Sequence, residues 1–223
     1  MSAIVIAGAV PADVVARIRA RMQSGPLVSG KLSAVGRAQA IKDNLVLVPD
    51  SPGAVEAVEL LVGALKANQA FQAATWPDAM LRPMFCRYAV GMNYGDHVDA
   101  AIMGDSGSQV RCDVAMTVCL NDAAEYDGGE LIIDAAGTPA SWRGNVGDVI
   151  VYPAGTLHRV NEVTRGTRDV AISWIQSMVR DGARRRILYD LKTALDGFDK
   201  LPAPPPEAEA IRRSYFNLIR MWA

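Results

Sequence analysis

His97 and Asp99 are the residues that could do chemistry. They lie two positions apart in "YGDHVDAAIM", residues 94–103. In an extended segment, positions i and i+2 point to the same side. An imidazole nitrogen and a carboxylate oxygen can therefore aim at one point. By the same rule Asp96 points away and shapes the turn with Gly95. The chain has two histidines in 223 residues. The other, His158, lies in "GDVIVYPAGTLHRV", where a Gly-Asp turn, an apolar strand and a Pro-Ala-Gly turn deliver it to the start of the next strand. Two histidines and one carboxylate on three facial positions suit non-haem Fe(II), with the other positions open for substrate and dioxygen. Structural zinc prefers closed, Cys-rich tetrahedra. H-x-D by itself fits a surface loop as well as half a metal site. Its weight comes from both histidines of the chain falling where such a site needs them.

Arg168 is the next candidate, ten residues beyond His158 at the head of "RDVAISWIQ". An inward arginine beside an open metal site is a costly buried charge unless it has a partner. A dicarboxylate is the natural partner, because a guanidinium grips a carboxylate with two hydrogen bonds. 2-Oxoglutarate fits: its 2-oxo acid end chelates iron and its far end meets the guanidinium. Arg165, in the same "TRGTRD" stretch, is the local rival, and a surface role for Arg168 stays open.

These residues need a frame that brings distant segments together. From Pro83 to about residue 178, short β-rich runs alternate with turns: "MFCRYAV", "DVAMTVCL", "GELIID", "SWRG", "GDVIVYP", "HRVNEVT" and "RDVAISWIQSM", separated by "NYGD", "EYDGGE", "NVGD" and "PAGT". Evenly spaced short strands without helical periods predict a jelly roll or sandwich. Ahead of them, a short strand at 3–7 leads into a helix opened by Pro11, with Val14, Val15, Ile18 and Met22 on one face. Residues 23–40 read as polar connection and "NLVLVPD" as a strand. Ser51 and Pro52 start a helix through "SPGAVEAVELLVGALKANQAF". After "VRDG" the helical period returns, with Ile187, Leu188, Leu191 and Leu195 on one stripe. A Pro-rich connector then precedes "AIRRSYFNLIRMWA". The expected organisation is α+β with a mainly β core. Residues 1–80 form an α/β portion supporting the barrel, 81–180 the jelly-roll catalytic core, and 181–223 a C-terminal helical extension, all in one compact unit.

Composition narrows the partners. With 23 Lys and Arg against 24 Asp and Glu, a net charge of -1 and a pI near 6.1, the chain has no electrostatic footprint for nucleic acid or an anionic membrane. The run "ARRRI" reads as a solvated helix face. Half the residues are hydrophobic, enough for a sizeable core. No apolar run reaches the roughly 18 residues of a membrane span, and the N-terminus lacks the basic region of a signal peptide. Cys86, Cys112 and Cys119 show no C-x-x-C spacing and read as buried, reduced thiols. A cytoplasmic location follows. Phe216, Ile219 and Trp222 on the last helix leave two readings, packing on the barrel's outer face or a homodimer interface.

The spacing of H-x-D, a distal histidine and an arginine ten residues later resembles the Fe(II)/2-oxoglutarate-dependent dioxygenases of the prolyl 4-hydroxylase type. More closely, the chain resembles the bacterial PKHD-type hydroxylases, a group associated with iron-uptake loci. "IKDNLVL", "YAVGMNYGDHVDAAIM", "YDGGEL", "GDVIVYPAGTLHRVNEVTRGTRDVAISWIQSMVRD" and "YFNLIRMWA" carry the likeness nearly end to end. The resemblance implies a double-stranded β-helix that uses Fe(II), 2-oxoglutarate and dioxygen, with ascorbate as reductant, and releases succinate and carbon dioxide. It implies that His97, Asp99 and His158 are catalytic iron ligands and that Arg168 binds the distal carboxylate of 2-oxoglutarate. Tyr88 matches a tyrosine that reaches the cosubstrate, and Trp174 matches an aromatic lining the pocket; plain core roles for both stay open. One departure is Ala115, where the pattern usually carries serine; Thr117, on the same face, is the substitute. The retained Asp99 separates this chain from halogenases, which replace that carboxylate with a small residue. The substrate is expected to be peptidyl, an amino acid or another small metabolite. Two rivals stay open: a cupin-like metal enzyme that does not use 2-oxoglutarate, and a non-catalytic iron or 2-oxoglutarate sensor.

Overall fold

The computed structural model describes residues 3–105, 107–134 and 137–223. Two antiparallel sheets pack on each other through apolar side chains. Across the larger one lie Ile4–Ile6, Val149–Pro153, Val114–Cys119, Arg168–Ser177, Met84–Tyr88, Leu45–Leu47 and Leu27–Ser29, with Pro77–Met80 also pairing with Arg168–Ser177. Across the smaller one lie Pro139–Trp142, Leu131–Asp134, Leu157–Val160, Asn93–His97 and Lys42–Asp43. From Met84 onward the chain passes back and forth between the two sheets, which is the winding of a jelly roll. The expected fold class is the one found.

Strand alternation sorts the side chains. On Val114–Cys119, Val114, Met116 and Val118 face outward, and on Arg168–Ser177 so do Ala171 and Ile175. They pack under Val15, Ile18 and Met22 of the helix Ala12–Ser24 and Leu61 and Leu65 of the helix Pro52–Ala67. The other face carries Tyr88, Ala115, Tyr152 and Val170, which meet Leu131, Ile133 and Val160 of the smaller sheet. The N-terminal helices thus seal one side of the larger sheet, and the site lies on the other.

Local signals explain most boundaries. Pro52 occupies the first turn of its helix while Ser51 Oγ accepts the Ala54 N–H at 3.3 Å, a serine N-cap. The expected continuation through residue 71 does not hold. Asn68 ends that helix and caps a second one, Gln69–Thr75, by accepting the Phe71 N–H at 2.9 Å. An asparagine side chain that bonds locally offers the backbone an alternative to continued helix. Residues 23–40 also hold more structure than expected: the strand Leu27–Ser29, a 3-10 turn Gly30–Ser33 and a short helix Gly36–Ala40.

At the C-terminal end, Gly182–Phe198 is capped by Asp181 and followed by Glu207–Trp222. Leu188 and Leu195 are buried in this layer, but Ile187 lies on the exposed side. The stripe is narrower than its sequence suggested, because Arg185 is drawn inward to donate to the carbonyls of Val179 and Arg180. Ile219 and Trp222 pack against this cluster, whereas Phe216 is exposed. Cys86, Cys112 and Cys119 are free and buried. Among the described residues no helix is long and apolar enough to cross a membrane.

Candidate metal centre and cosubstrate cavity

His97 closes the strand Asn93–His97, and His158 lies on Leu157–Val160 beside it. The two strands pair antiparallel with His158 opposite His97, which puts the ring centroids 4.2 Å apart. Asp99 follows two residues beyond His97. Its Oδ1 stands 3.9 Å from His97 Nε2 and its Oδ2 3.8 Å from His158 Nε2. One ligand atom from each of the three residues lies within 4.8 Å of the others.

The tautomers favour an ion. His97 Nδ1 is 2.7 Å from the Gly95 carbonyl and His158 Nδ1 is 2.9 Å from the Thr156 carbonyl. A carbonyl only accepts, so each Nδ1 carries the proton and donates. Each Nε2 is left with a lone pair facing Asp99, which is how backbone contacts orient metal-binding imidazoles. Burial and the neighbouring His158 push the His97 imidazole down to about 4, which keeps it neutral and able to ligate. Burial raises the Asp99 carboxyl. Both directions describe charge that is unfavourable in a dry pocket without a cation. Two nitrogens and one carboxylate oxygen on one side of a point, with the other side open to a cavity, match the facial set used by non-haem Fe(II).

The cavity is about 740 Å³, within the ordinary range for a small-molecule site. Its walls include His97, Asp99, His158, Tyr88, Thr117 and Arg168. Arg168 is 3 % exposed. It lies opposite Tyr88 across the strand pair, with its guanidinium carbon 5.1 Å from the ring centre. Its chain neighbour Asp169 is bound to Arg87 through two contacts of 2.8 Å, and among the described residues no carboxylate forms an ion pair with Arg168. Arg165 is the exposed one. Its side chain is 56 % accessible and grips Asp127 at 2.6 Å outside the cavity. A buried guanidinium facing a cavity needs an anion, so the site fits the distal carboxylate of 2-oxoglutarate.

Thr117 is buried, shares its strand face with Ala115 and lines the cavity together with Tyr152. Trp174 pairs with Ala115 in register and lines the cavity. Its indole Nε1 is buried without a partner in good geometry, yet it approaches Asp99 closely enough to favour that carboxylate. All seven residues singled out from the sequence line this one cavity.

Sequence reasoning missed three contributors. Tyr94 stacks on His97 with centroids 3.7 Å apart and an interplanar angle of 18°. Strict alternation would separate them, but the strand register shifts between His158 and Val160. Lys42 lines the cavity from an edge strand; "IKDNLVL" pointed to its segment but not to its aim. Gly129, in "YDGGEL", has φ +65°, and a Cβ there would fall 3.0 Å from Arg168 Cδ and 2.9 Å from Val163 Cγ2. The Gly-Gly pair was legible as a turn, but its contact with Arg168 was not.

Residues 83–176 match the 2OG-Fe(II) oxygenase superfamily. A PKHD-type hydroxylase of Beijerinckia indica is 40 % identical over 214 residues, which is 95 % of this chain and 95 % of that protein. One from Methylobacterium nodulans is 41 % identical over 216 residues, covering 96 % and 95 %. Among solved structures, a Pseudomonas putida prolyl-4-hydroxylase matches with TM-score 0.54 and 20 % identity over 78 % of this chain and 92 % of that one. A Trichoplax adhaerens prolyl hydroxylase, bound to a hypoxia inducible factor peptide fragment, matches with TM-score 0.59 and 16 % identity over 83 % and 86 %. At these identities the two structures speak for the fold.

Proposed function

The chain belongs to the PKHD-type hydroxylases of the 2OG-Fe(II) oxygenase superfamily and is an Fe(II)/2-oxoglutarate-dependent dioxygenase, and we propose that His97, Asp99 and His158 hold its iron while Arg168 binds the cosubstrate. The observation that carries this assignment is the convergence of His97 Nε2, His158 Nε2 and the Asp99 carboxylate, with both Nδ1 atoms already committed to backbone carbonyls. When bound, Fe(II) with 2-oxoglutarate supplies the oxidising power that places an oxygen atom of dioxygen on the substrate, with release of succinate and carbon dioxide.

This chain's residues supply position and dryness. Arg168 orients the dicarboxylate along the cavity by a two-pronged, charge-assisted contact. Tyr88 flanks the guanidinium and fixes its plane through the cation–π contact. Thr117 and Tyr152 present hydroxyl groups on the cavity wall. The Trp174 indole lies beside Asp99 and favours its ionised form. Gly95 and Thr156 hold the protons at the two Nδ1 atoms.

The substrate proposed is peptidyl, a free amino acid or another small metabolite. On family resemblance we also propose a link to iron uptake, which growth of a deletion strain under iron restriction checks. The direct test supplies Fe(II), ascorbate and 2-oxoglutarate without oxygen, then admits oxygen and follows succinate. Succinate should form even without primary substrate, through uncoupled turnover. Its absence with iron fully bound would sink the assignment.

A further inference from the structure

The cavity holds a second buried cation that the reading above does not use. Lys42 is 3 % exposed. Its strand Lys42–Asp43 pairs with Asn93–His97, opposite Tyr94. Its Nζ lies 2.9 Å from Ser33 Oγ and 5.2 Å from the centre of the Tyr94 ring. An ammonium has three donors, and one of them meets Ser33. Burial disfavours its charged form, and Asp99, which would favour it, faces the two imidazoles instead. Among the described residues no carboxylate forms an ion pair with Lys42. An ammonium buried this far is costly unless an anion joins it.

A charge count of the loaded site points to the missing anion. A divalent ion, Lys42 and Arg168 bring four positive charges. Asp99 and doubly charged 2-oxoglutarate bring three negative ones, and Asp105, the remaining carboxylate among the described lining residues, is exposed at the rim and solvated by water. One negative charge is lacking, and the cosubstrate has already committed its two carboxylates, one to the metal and one to Arg168.

The mouth above Lys42 is apolar. Leu32, on the turn Gly30–Ser33, and Val35, just ahead of the helix Gly36–Ala40, are 76 % and 86 % exposed, and Val98 and Ile102 are exposed on the other lip. Solvent-facing apolar side chains gathered at one cavity entrance mark a surface that something covers.

We propose that Lys42 receives a carboxylate of the primary substrate, whose apolar portion rests on the lip formed by Leu32, Val35, Val98 and Ile102. The inference rests on the assignment of the metal to His97, Asp99 and His158 and of 2-oxoglutarate to Arg168. It makes the substrate a monoanion with an apolar body, and Lys42 a specificity-determining residue.

The test uses three probes of equal length that differ in charge: octanoate, methyl octanoate and octylamine. Full-length protein carrying Co(II) in place of Fe(II), saturated with 2-oxoglutarate, is titrated with each. Co(II) d–d absorption reports changes at the metal, and calorimetry reports 2-oxoglutarate affinity. Octanoate should bind about tenfold or more tightly than either other probe. Lys42→Met should erase that preference and Lys42→Arg retain it, both leaving 2-oxoglutarate affinity within about twofold. Val35→Ser should weaken octanoate and its ester alike. Equal binding of the three probes to the wild-type protein overturns the proposal without any variant. So does expulsion of 2-oxoglutarate by octanoate, or a tenfold loss of 2-oxoglutarate affinity in Lys42→Met, since Lys42 then serves the cosubstrate. If 2-oxoglutarate itself fails to bind the Co(II) protein, or binds equally well after Arg168→Ala, the underlying assignment fails and takes this inference with it.

Discussion

His97 and His158 are cross-strand partners whose rings lie 4.2 Å apart, each with its Nδ1 tied to the carbonyl two residues earlier. The same local device, used twice, turns two Nε2 atoms toward one carboxylate. Replacing either histidine by alanine should lower Fe(II) affinity by more than about 100-fold, beyond what loss of an outer contact typically costs. Asp99→Ala should do the same. Asp96→Asn should leave affinity unchanged, because Asp96 pairs with Arg159 on the surface at 3.3 Å. Anaerobic Fe(II) titration of each variant measures the difference.

Arg168 and Arg165 separate buried from exposed charge within one short segment. Arg168→Ala should raise the 2-oxoglutarate requirement about 100-fold, corresponding to roughly 3 kcal/mol for losing one side of a buried charged pair. Arg165→Ala should leave it unchanged, since its partner Asp127 lies outside the cavity. Succinate formation against 2-oxoglutarate concentration reads both. A large effect from Arg165→Ala would reverse the assignment.

Gly129→Ala tests whether the turn is matched to the guanidinium. A methyl group at that left-handed position meets Arg168 Cδ at 3.0 Å and Val163 Cγ2 at 2.9 Å, so Arg168 has to move. A misplaced clamp weakens binding without touching the metal ligands. The expected result is a loss of about tenfold in 2-oxoglutarate affinity with Fe(II) affinity retained. Calorimetric titration of each ligand separates the two, and equal losses in both would mean general disruption instead.

Alkaline pH should destabilise the protein as it passes through the ordinary thiol and tyrosine range. Burial pushes Cys112 and Cys119 up to about 11 from 9.0, and Tyr94 up to about 12 from 10.0. Cys86, Tyr88 and Tyr152 move the same way. Between the unfolded and folded values the unfolded chain has already lost these protons while the folded chain keeps them. Fewer protons on the unfolded state means stability falls as pH rises, from about pH 9 upward. A thiol such as Cys119 contributes up to about 3 kcal/mol of this loss by pH 11. Lys42, lowered by burial, opposes the trend as a single group. Urea unfolding from pH 7 to 10.5 measures the slope, and a flat profile would contradict it.

The sequence by itself determined which donors are on offer. Donor type, the i, i+2 spacing of His97 and Asp99, and the scarcity of histidine point to a candidate facial ligand set, because those properties are local and survive any folding. Apolar runs broken by turns likewise determined a two-layer β core, since a period of two sends one face of each strand inward, while the choice between jelly roll and sandwich depended on how distant strands pair. The helix start at Ser51 and Pro52 was legible for the same local reason, whereas Asn68 reads as helix interior in the sequence and proves to be a cap. Tertiary structure decided what depends on distance. Arg168 and Arg165 are chemically identical in sequence, and only the strand that buries one and the surface that exposes the other tell them apart. Nothing in "IKDNLVL" tells where Lys42 aims, and only the pairing of its strand with Asn93–His97 turns its buried ammonium into the cavity, beside Ser33 and Tyr94.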